Sequence, residues 1–216
     1  MATDQAPATS TMDLLRFDPV QRATHWITAL LFAVLVATAI PLYFGSFFGV
    51  VLPRFRVEQV HLWSGIALPV PLVVSLLGPW GQRMRRDARR VNYWARDEIA
   101  WLKSLGRAPL DADKFNPGQK LNAALVASSM AVMLASGVVL KWFSYFPVSW
   151  RGGSTFVHDV GAWLMVALIG GHVVMGLTHR EALSSMLTGR ISERWAQTHA
   201  SRWLRDERED SPVERE

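Results

Sequence analysis

The stretch FVHDVGAWLMVALIGGHVVMGLT, running from Phe156 to Thr178, decides the fold. It is long and apolar enough to cross a bilayer, and its two histidines, His158 and His172, lie fourteen residues apart. At about 3.6 residues per turn that spacing is close to four turns, so both rings fall on nearly the same helix face, about 21 Å apart along the axis. A hydrocarbon core about 30 Å thick then puts one ring near each membrane surface. Such a helix is suited to holding two large cofactors, stacked across a membrane.

The rest of the 216-residue chain repeats this segregation. Half of its residues are hydrophobic, yet the mean hydropathy is only +0.14. No Asp, Glu, Lys or Arg occurs from Ala23 to Pro53, Gln59 to Gln82, Leu121 to Leu140 or Val160 to His179. Each stretch has the length of a spanning helix. The sequence predicts an all-α integral membrane protein with a four-helix bundle: Ala23–Tyr43, Gln59–Trp80, Leu121–Trp142 and Phe156–Thr178. Residues 1–22 form an N-terminal segment, 23–180 the membrane domain, and 181–216 a charged tail, with disorder expected beyond Asp206. Four such segments leave too little other sequence to bury them as soluble helices. The first is too long for the apolar region of a signal peptide and lacks a small-residue cleavage site. No internal repeat is evident.

The absence of cysteine excludes disulfides, covalent c-type haem attachment and cysteine-ligated iron–sulfur clusters within this chain. A net charge of +5 would suit nucleic acid, but the placement of the basic residues serves topology instead. The connection 81–120 carries Arg83, Arg85, Arg86, Arg89, Arg90, Arg96, Lys103, Arg107, Lys114 and Lys120, and seven arginines lie between Arg180 and Arg215. The other connections hold only Arg54 and Arg56, and Lys141 and Arg151. The positive-inside rule predicts both termini and the long loop on the cytoplasmic side of a bacterial inner membrane. Within that loop, Val91, Trp94, Ile99 and Leu102 recur at helical spacing, predicting an interfacial amphipathic helix over Val91–Leu105. Trp80, Trp94, Trp101, Trp142, Trp150 and Trp195 fall at predicted boundaries, where indoles prefer to sit.

This topology sorts the histidines by depth. His61 and His158 fall near the outer side, His25 and His172 near the inner side. An imidazole in lipid is costly unless paired or ligated, and two depth-matched pairs suit axial ligation of two b-type haems. Gly65, Gly137, Gly161, Gly170 and Gly171 would either make room for a flat macrocycle or pack helices closely. Zinc fits less well, since it prefers tetrahedral sites, commonly with Cys or carboxylate ligands. No His-Glu-x-x-His motif is present. His179 reads as interfacial and His199 as a surface or partner contact. Arg22, one turn before His25, reads either as a haem-propionate partner or as simple positive-inside anchoring.

The stretches Arg22-Ala23-Thr24-His25-Trp26, Lys114-Phe115-Asn116-Pro117-Gly118-Gln119-Lys120 and Gly189-Arg190-Ile191-Ser192-Glu193-Arg194-Trp195-Ala196, the last continuing to His199 and Arg202-Trp203, resemble the gamma, or cytochrome b, subunit of membrane-bound formate dehydrogenase. The resemblance spans roughly Phe17 to Arg205. It implies His25, His61, His158 and His172 as haem-iron ligands, paired as above. It further implies an iron–sulfur beta subunit and a molybdenum or tungsten catalytic alpha subunit as partners. Electrons would enter at the outer haem and leave from the inner haem to menaquinone or ubiquinone. Asn116, Gly118 and Gln119 match the quinone-site loop, although Asn-Pro-Gly is also strong turn chemistry. Pro117 departs from the family pattern, because it offers no backbone N–H. No chemistry on formate falls to this chain. A symmetric trimer, or a partner helix from another subunit, would complete a thin bundle. The alternatives are a cytochrome b of a hydrogenase or thiosulfate reductase-type complex and a haem-free membrane anchor. A metal transporter would need polar ligands along a central path, and only the histidines offer them.

Overall fold

The architecture comes from a computed structural model, which describes residues 13–45 and 53–210. Strand β1 (Asp13–Leu15) leads into helix α1 (Pro19–Tyr43). The second span is two helices, α2 (Arg54–Ala67) and α3 (Val70–Leu77). The long loop holds α4 (Gln82–Asn92) and α5 (Arg96–Lys103). Helix α6 (Pro117–Lys141), a 3₁₀ turn at Phe143–Tyr145 and α7 (Val148–Thr178) follow. The chain closes with α8 (Arg180–Thr188), β2 (Arg190–Ser192), α9 (Glu193–His199) and α10 (Ser201–Asp210). Four segments are long and apolar enough to cross a membrane: Pro19–Tyr43, Arg54–Leu77, Pro117–Lys141 and Val148–Thr178. The chain is a multi-pass helical membrane protein.

All four spans start earlier than the charge-free stretches suggest, and at α1 and α6 capping chemistry rather than hydropathy sets the start. Asp18 and Gln21 form a reciprocal capping box ahead of α1, with Pro19 at the first helical position. Asn116 and Gln119 form the same box ahead of α6, with Pro117 at that position. The two starts share one pattern, Phe17-Asp18-Pro19-Val20-Gln21-Arg22 and Phe115-Asn116-Pro117-Gly118-Gln119-Lys120. Their phenylalanine rings lie 6.3 Å apart. This short internal repeat went unnoticed because it sits outside the apolar stretches. Pro117 is therefore a helix-start residue whose missing N–H costs nothing. Pro69 and Pro71 explain the break between α2 and α3, since neither supplies a helical N–H.

The long loop also differs from expectation. No single helix covers Val91–Leu105; the chain breaks between α4 and α5. The Tyr93 carbonyl accepts from Lys120 Nζ at 2.9 Å, and Ala95 N–H donates to Glu98 Oε2 at 2.9 Å. These tertiary and capping bonds override the helical period.

Extended backbone packing joins α1 to α2 and α6 to α7, whereas α1 and α7 do not pack closely on one another. The spans bury few residues against protein, leaving their apolar faces for lipid or a partner. The conventional core sits instead at the Arg-rich end. There β1 pairs antiparallel with β2, Leu14 opposite Ile191, tying the two ends of the chain together. Ile191, Ala196, Ala200, Trp203 and Leu204 pack beneath that pair. Arg16 and Phe17 N–H groups both donate to the Gly189 carbonyl. Gly189 has φ +85°, and a Cβ there would meet the Phe17 carbonyl at 2.6 Å, so only glycine fits. The expectation of disorder beyond Asp206 fails through Asp210: α10 is helical, and its Trp203 and Leu204 are buried. Residues 211–216 lie outside the described residues.

Candidate functional site

Helices α1, α2 and α7 carry the four histidines picked out from spacing. His25 on α1 faces His172 on α7, with ring centroids 6.1 Å apart and planes at 61°. His61 on α2 faces His158 on α7, at 6.4 Å and 66°. A metal–imidazole bond is about 2 Å, and the ring centre lies about 1.1 Å behind its nitrogen, so two coaxial rings on one ion have centroids about 6.2 Å apart. Both pairs match that separation. Helix α7 is unbroken between His158 and His172, so the two pairs sit about 21 Å apart along it.

Among the described residues, no group of three or more His, Cys, Asp or Glu side chains converges on a metal position. Each pair thus offers two facing imidazoles and, among the described residues, no third His, Cys, Asp or Glu ligand. That donor set fits an ion whose equatorial ligands come with a macrocycle, and it does not fit tetrahedral zinc. His25, His61 and His158 are half-buried, and His172 is exposed.

The His61 and His158 rings are held from behind. Thr38 Oγ1 lies 2.9 Å from His61 Nδ1, and Ser136 Oγ lies 3.0 Å from His158 Nδ1. Each hydroxyl also reaches the carbonyls one turn back, Val34 at 2.7 Å for Thr38 and Val132 at 2.9 Å for Ser136. Neither hydroxyl stood out in the sequence. The available signal was a Thr and a Ser inside charge-free spans, at a depth where a polar group needs a partner.

The glycines divide by role. A Cβ at Gly137 would lie 3.3 Å from His158 Cε1, so Gly137 makes room for that ring. A Cβ at Gly161 would meet Met133 Sδ at 2.6 Å, so Gly161 serves helix packing between α6 and α7. Gly65 makes only ordinary contact with Leu35, and a Cβ at Gly170 or Gly171 would meet nothing within 4 Å.

Arg22 donates through Nη1 to the Leu187 carbonyl, tying α1 to the end of α8, and its buried Nε has no hydrogen-bond partner. Asn116, Gly118 and Gln119 are exposed. The Asn116 and Gln119 side-chain oxygens are committed to the capping box. Their amide NH₂ groups donate to nothing among the described residues. His179 is exposed and bonds the Met175 carbonyl, while the exposed His199 stacks on Trp195 at 4.9 Å. Neither approaches a histidine pair.

Beyond the His25/His172 pair, at the Arg-rich end, lies a buried ionic layer that hydropathy could not reveal. Asp87 Oδ2 accepts from Lys114 Nζ and from Gln21 Nε2, both at 2.5 Å. Burial pushes the Asp87 carboxyl up and the Lys114 ammonium down, with each partner opposing the other's shift. Burial lowers Arg16 to about 10, with Asp87 opposing. Deeper still, Lys120 Nζ meets Glu98 Oε1 at 2.7 Å with both side chains fully buried, and Arg202 Nη2 adds a bond to the same oxygen at 2.9 Å. Arg90 bridges Asp113 at 2.5 Å and Asp206 at 3.1 Å. Thus part of the basic run is not a solvated face. It locks the loop and tail over one end of the bundle.

A family model described as prokaryotic cytochrome b561 matches residues 16–189. The chain is 24% identical over 202 residues to the formate dehydrogenase cytochrome b556 subunit of Haemophilus influenzae, covering 90% of this chain and 83% of that one. It is 25% identical over 200 residues to the nitrate-inducible formate dehydrogenase cytochrome b556(Fdn) subunit of Escherichia coli K12, covering 89% and 91%. It is also 24% identical over 219 residues to a probable Ni/Fe-hydrogenase 1 B-type cytochrome subunit of E. coli K12, covering 83% and 91%. With a matched span that holds all four paired histidines, this chain belongs to the prokaryotic cytochrome b561 family.

Proposed function

We propose that this chain is the di-haem cytochrome b subunit of a formate dehydrogenase-type respiratory complex, passing electrons from an iron–sulfur subunit to membrane quinone and anchoring the complex. The observation that supports this reading most directly is the pair of facing imidazoles at each of two depths, 6.1 and 6.4 Å between centroids. Haem b held at each pair would supply one-electron transfer across the membrane. His61 and His158 would hold the outer iron, His25 and His172 the inner one. The chain's own work is to fix these rings, exclude water between the spans and close the inner end with its ionic layer.

The positive-inside bias supports placing both termini and the ionic layer in the cytoplasm of a bacterial inner-membrane protein. The exposed amides of Asn116 and Gln119 would donate to quinone carbonyls beside the inner pair, with Gly118 keeping that approach open. Because Pro117 has no N–H, recognition there falls to side chains. Arg22 would meet an inner haem propionate with the part of its guanidinium that Leu187 leaves free. The catalytic alpha and iron–sulfur beta subunits would dock on the outer side, with a further helix or a symmetric trimer covering the exposed spans.

The relatives named for formate dehydrogenase favour that partner, and the hydrogenase relative supports a second reading with the same wiring. Affinity purification of the chain from its native membranes, with metal analysis and addition of formate or hydrogen, separates them. Co-purified molybdenum or tungsten and haem reduction by formate are expected. Nickel with reduction by hydrogen would transfer the chain to the second reading.

A further inference from the structure

The two histidine pairs differ in what stands behind them. Both outer ligands face a hydroxyl through Nδ1. Neither inner ligand has a hydrogen-bonding partner for Nδ1 among the described residues, and besides His172 the ring packed on His25 is Trp26, edge-on, 5.2 Å between centroids. A hydroxyl has one proton. If Thr38 donates it to the Val34 carbonyl and Ser136 donates it to the Val132 carbonyl, each oxygen is left as an acceptor toward the ring. The Leu35 and Met133 carbonyls, each 3.1 Å from the same hydroxyl oxygen, offer that proton a second backbone acceptor. A hydroxyl whose proton is held by a carbonyl can meet a ring nitrogen only as an acceptor, so that nitrogen must carry the proton. Nδ1 of both outer ligands is therefore the protonated nitrogen, and Nε2 presents its lone pair to the space between the rings.

We infer that Thr38 and Ser136 are positioning residues that fix the outer ligands' tautomer and lower the reduction potential at the outer pair relative to the inner pair. The inference rests on the two-haem reading above. A ligand imidazole that donates its second N–H is a more basic, more electron-rich donor. It stabilises the oxidised iron over the reduced, and thereby lowers the potential. Each hydroxyl's own bond to a backbone carbonyl polarises it and strengthens its acceptance. The asymmetry has a use. An electron moving inward travels toward the negative side of an energised membrane, against the field. A lower outer potential makes that step downhill in the protein and offsets the field.

The test is a spectroelectrochemical titration of the full haem-loaded chain in lipid nanodiscs, comparing wild type with Thr38→Val, Ser136→Ala, the double variant and Thr38→Ser. Two one-electron waves are expected in wild type. In Thr38→Val and in Ser136→Ala only the lower wave should rise, by about fivefold in the reduction equilibrium for one lost bond, or about 40 mV at about 59 mV per decade. Thr38→Ser should restore it, which a purely structural role would not require. A shift of the upper wave, or unchanged potentials in both single variants with two haems retained, overturns the inference. A wild-type chain that binds no haem overturns the two-haem reading itself, which separates the two failures. If the double variant loses one haem, the single variants and Thr38→Ser still decide.

Discussion

Replacing Glu98 by glutamine should unlock the loop and tail from the Arg-rich end of the bundle. Glu98 is fully buried and is, among the described residues, the one anion bonded to the equally buried Lys120. Its Oε1 accepts from Lys120 Nζ at 2.7 Å and Arg202 Nη2 at 2.9 Å, and its Oε2 accepts from Ala95 N–H at 2.9 Å. The amide keeps the shape but removes the charge, leaving a buried ammonium with only neutral neighbours, the Tyr93 carbonyl, the Trp94 ring and the amide oxygen. Breaking a buried pair from one side costs about 3–5 kcal/mol, because the remaining ion stays desolvated. Lys120→Met should cost less, since Glu98 keeps Arg202 and the Ala95 N–H. The double variant Glu98→Met/Lys120→Met should recover most of the loss, as hydrophobic replacement of both buried ions is often close to neutral. The assay is unfolding of the purified chain in mixed micelles by titration with denaturing detergent, followed by far-UV circular dichroism. A Glu98→Gln variant within about 1 kcal/mol of wild type, or Lys120→Met costing more than Glu98→Gln, would refute the reasoning.

Gly137→Ala should push a methyl against His158 Cε1 and lower haem occupancy at the outer pair, whereas Gly152→Ala, with nothing within 4 Å, should leave the haem spectrum unchanged; reduced-minus-oxidised spectra check both. Asn116→Asp should keep the α6 cap, as Asp18 does for α1, but lose the amide donor, so quinone reduction should fall at unchanged stability; Asn116→Ala should also destabilise by about 1 kcal/mol, read by unfolding and by a quinol-driven haem reduction assay. Arg205 and Ser201 hold the Asp111 carboxyl below its ordinary 3.8. A depressed folded-state value stabilises above the unfolded value and is lost as pH falls through the folded one, so Asp111→Asn should flatten the acid-side fall in stability. The pair is half-exposed, and the effect should stay below about 1 kcal/mol, measured by thermal unfolding near about pH 3 and pH 7.

The spans and the four histidines were legible because each depends on a short-range signal: charge exclusion over a bilayer's width, and helical spacing of a ligand-type residue. Helix ends were not, because they depend on caps at Asp18 and Asn116 that hydropathy ignores. The break at Tyr93 to Ala95 was hidden for another reason, since it depends on Lys120 and Glu98 meeting across more than twenty residues. The ion pairs of the arginine-rich loop were hidden because a charged residue in sequence carries no sign of its partner; Asp87, Glu98 and Asp113 become visible as partners only once the loop folds over α6. Thr38 and Ser136 likewise gain meaning only when α1 lies beside α2 and α6 beside α7. Trp203 entered the sequence reading only through the family resemblance, although an aromatic in a charged run with Ala196, Ala200 and Leu204 at helical spacing is itself a docking signal.

The most direct test is a haem count. The purified chain, from cells that supply haem, is analysed for haem b per polypeptide and for its oxidised and dithionite-reduced spectra, alongside His61→Ala and His172→Ala. Two haems b per chain are expected, with His61→Ala losing the outer one and His172→Ala the inner one. A folded, colourless wild-type chain, or a single haem lost equally in both variants, would contradict the two-site electron path.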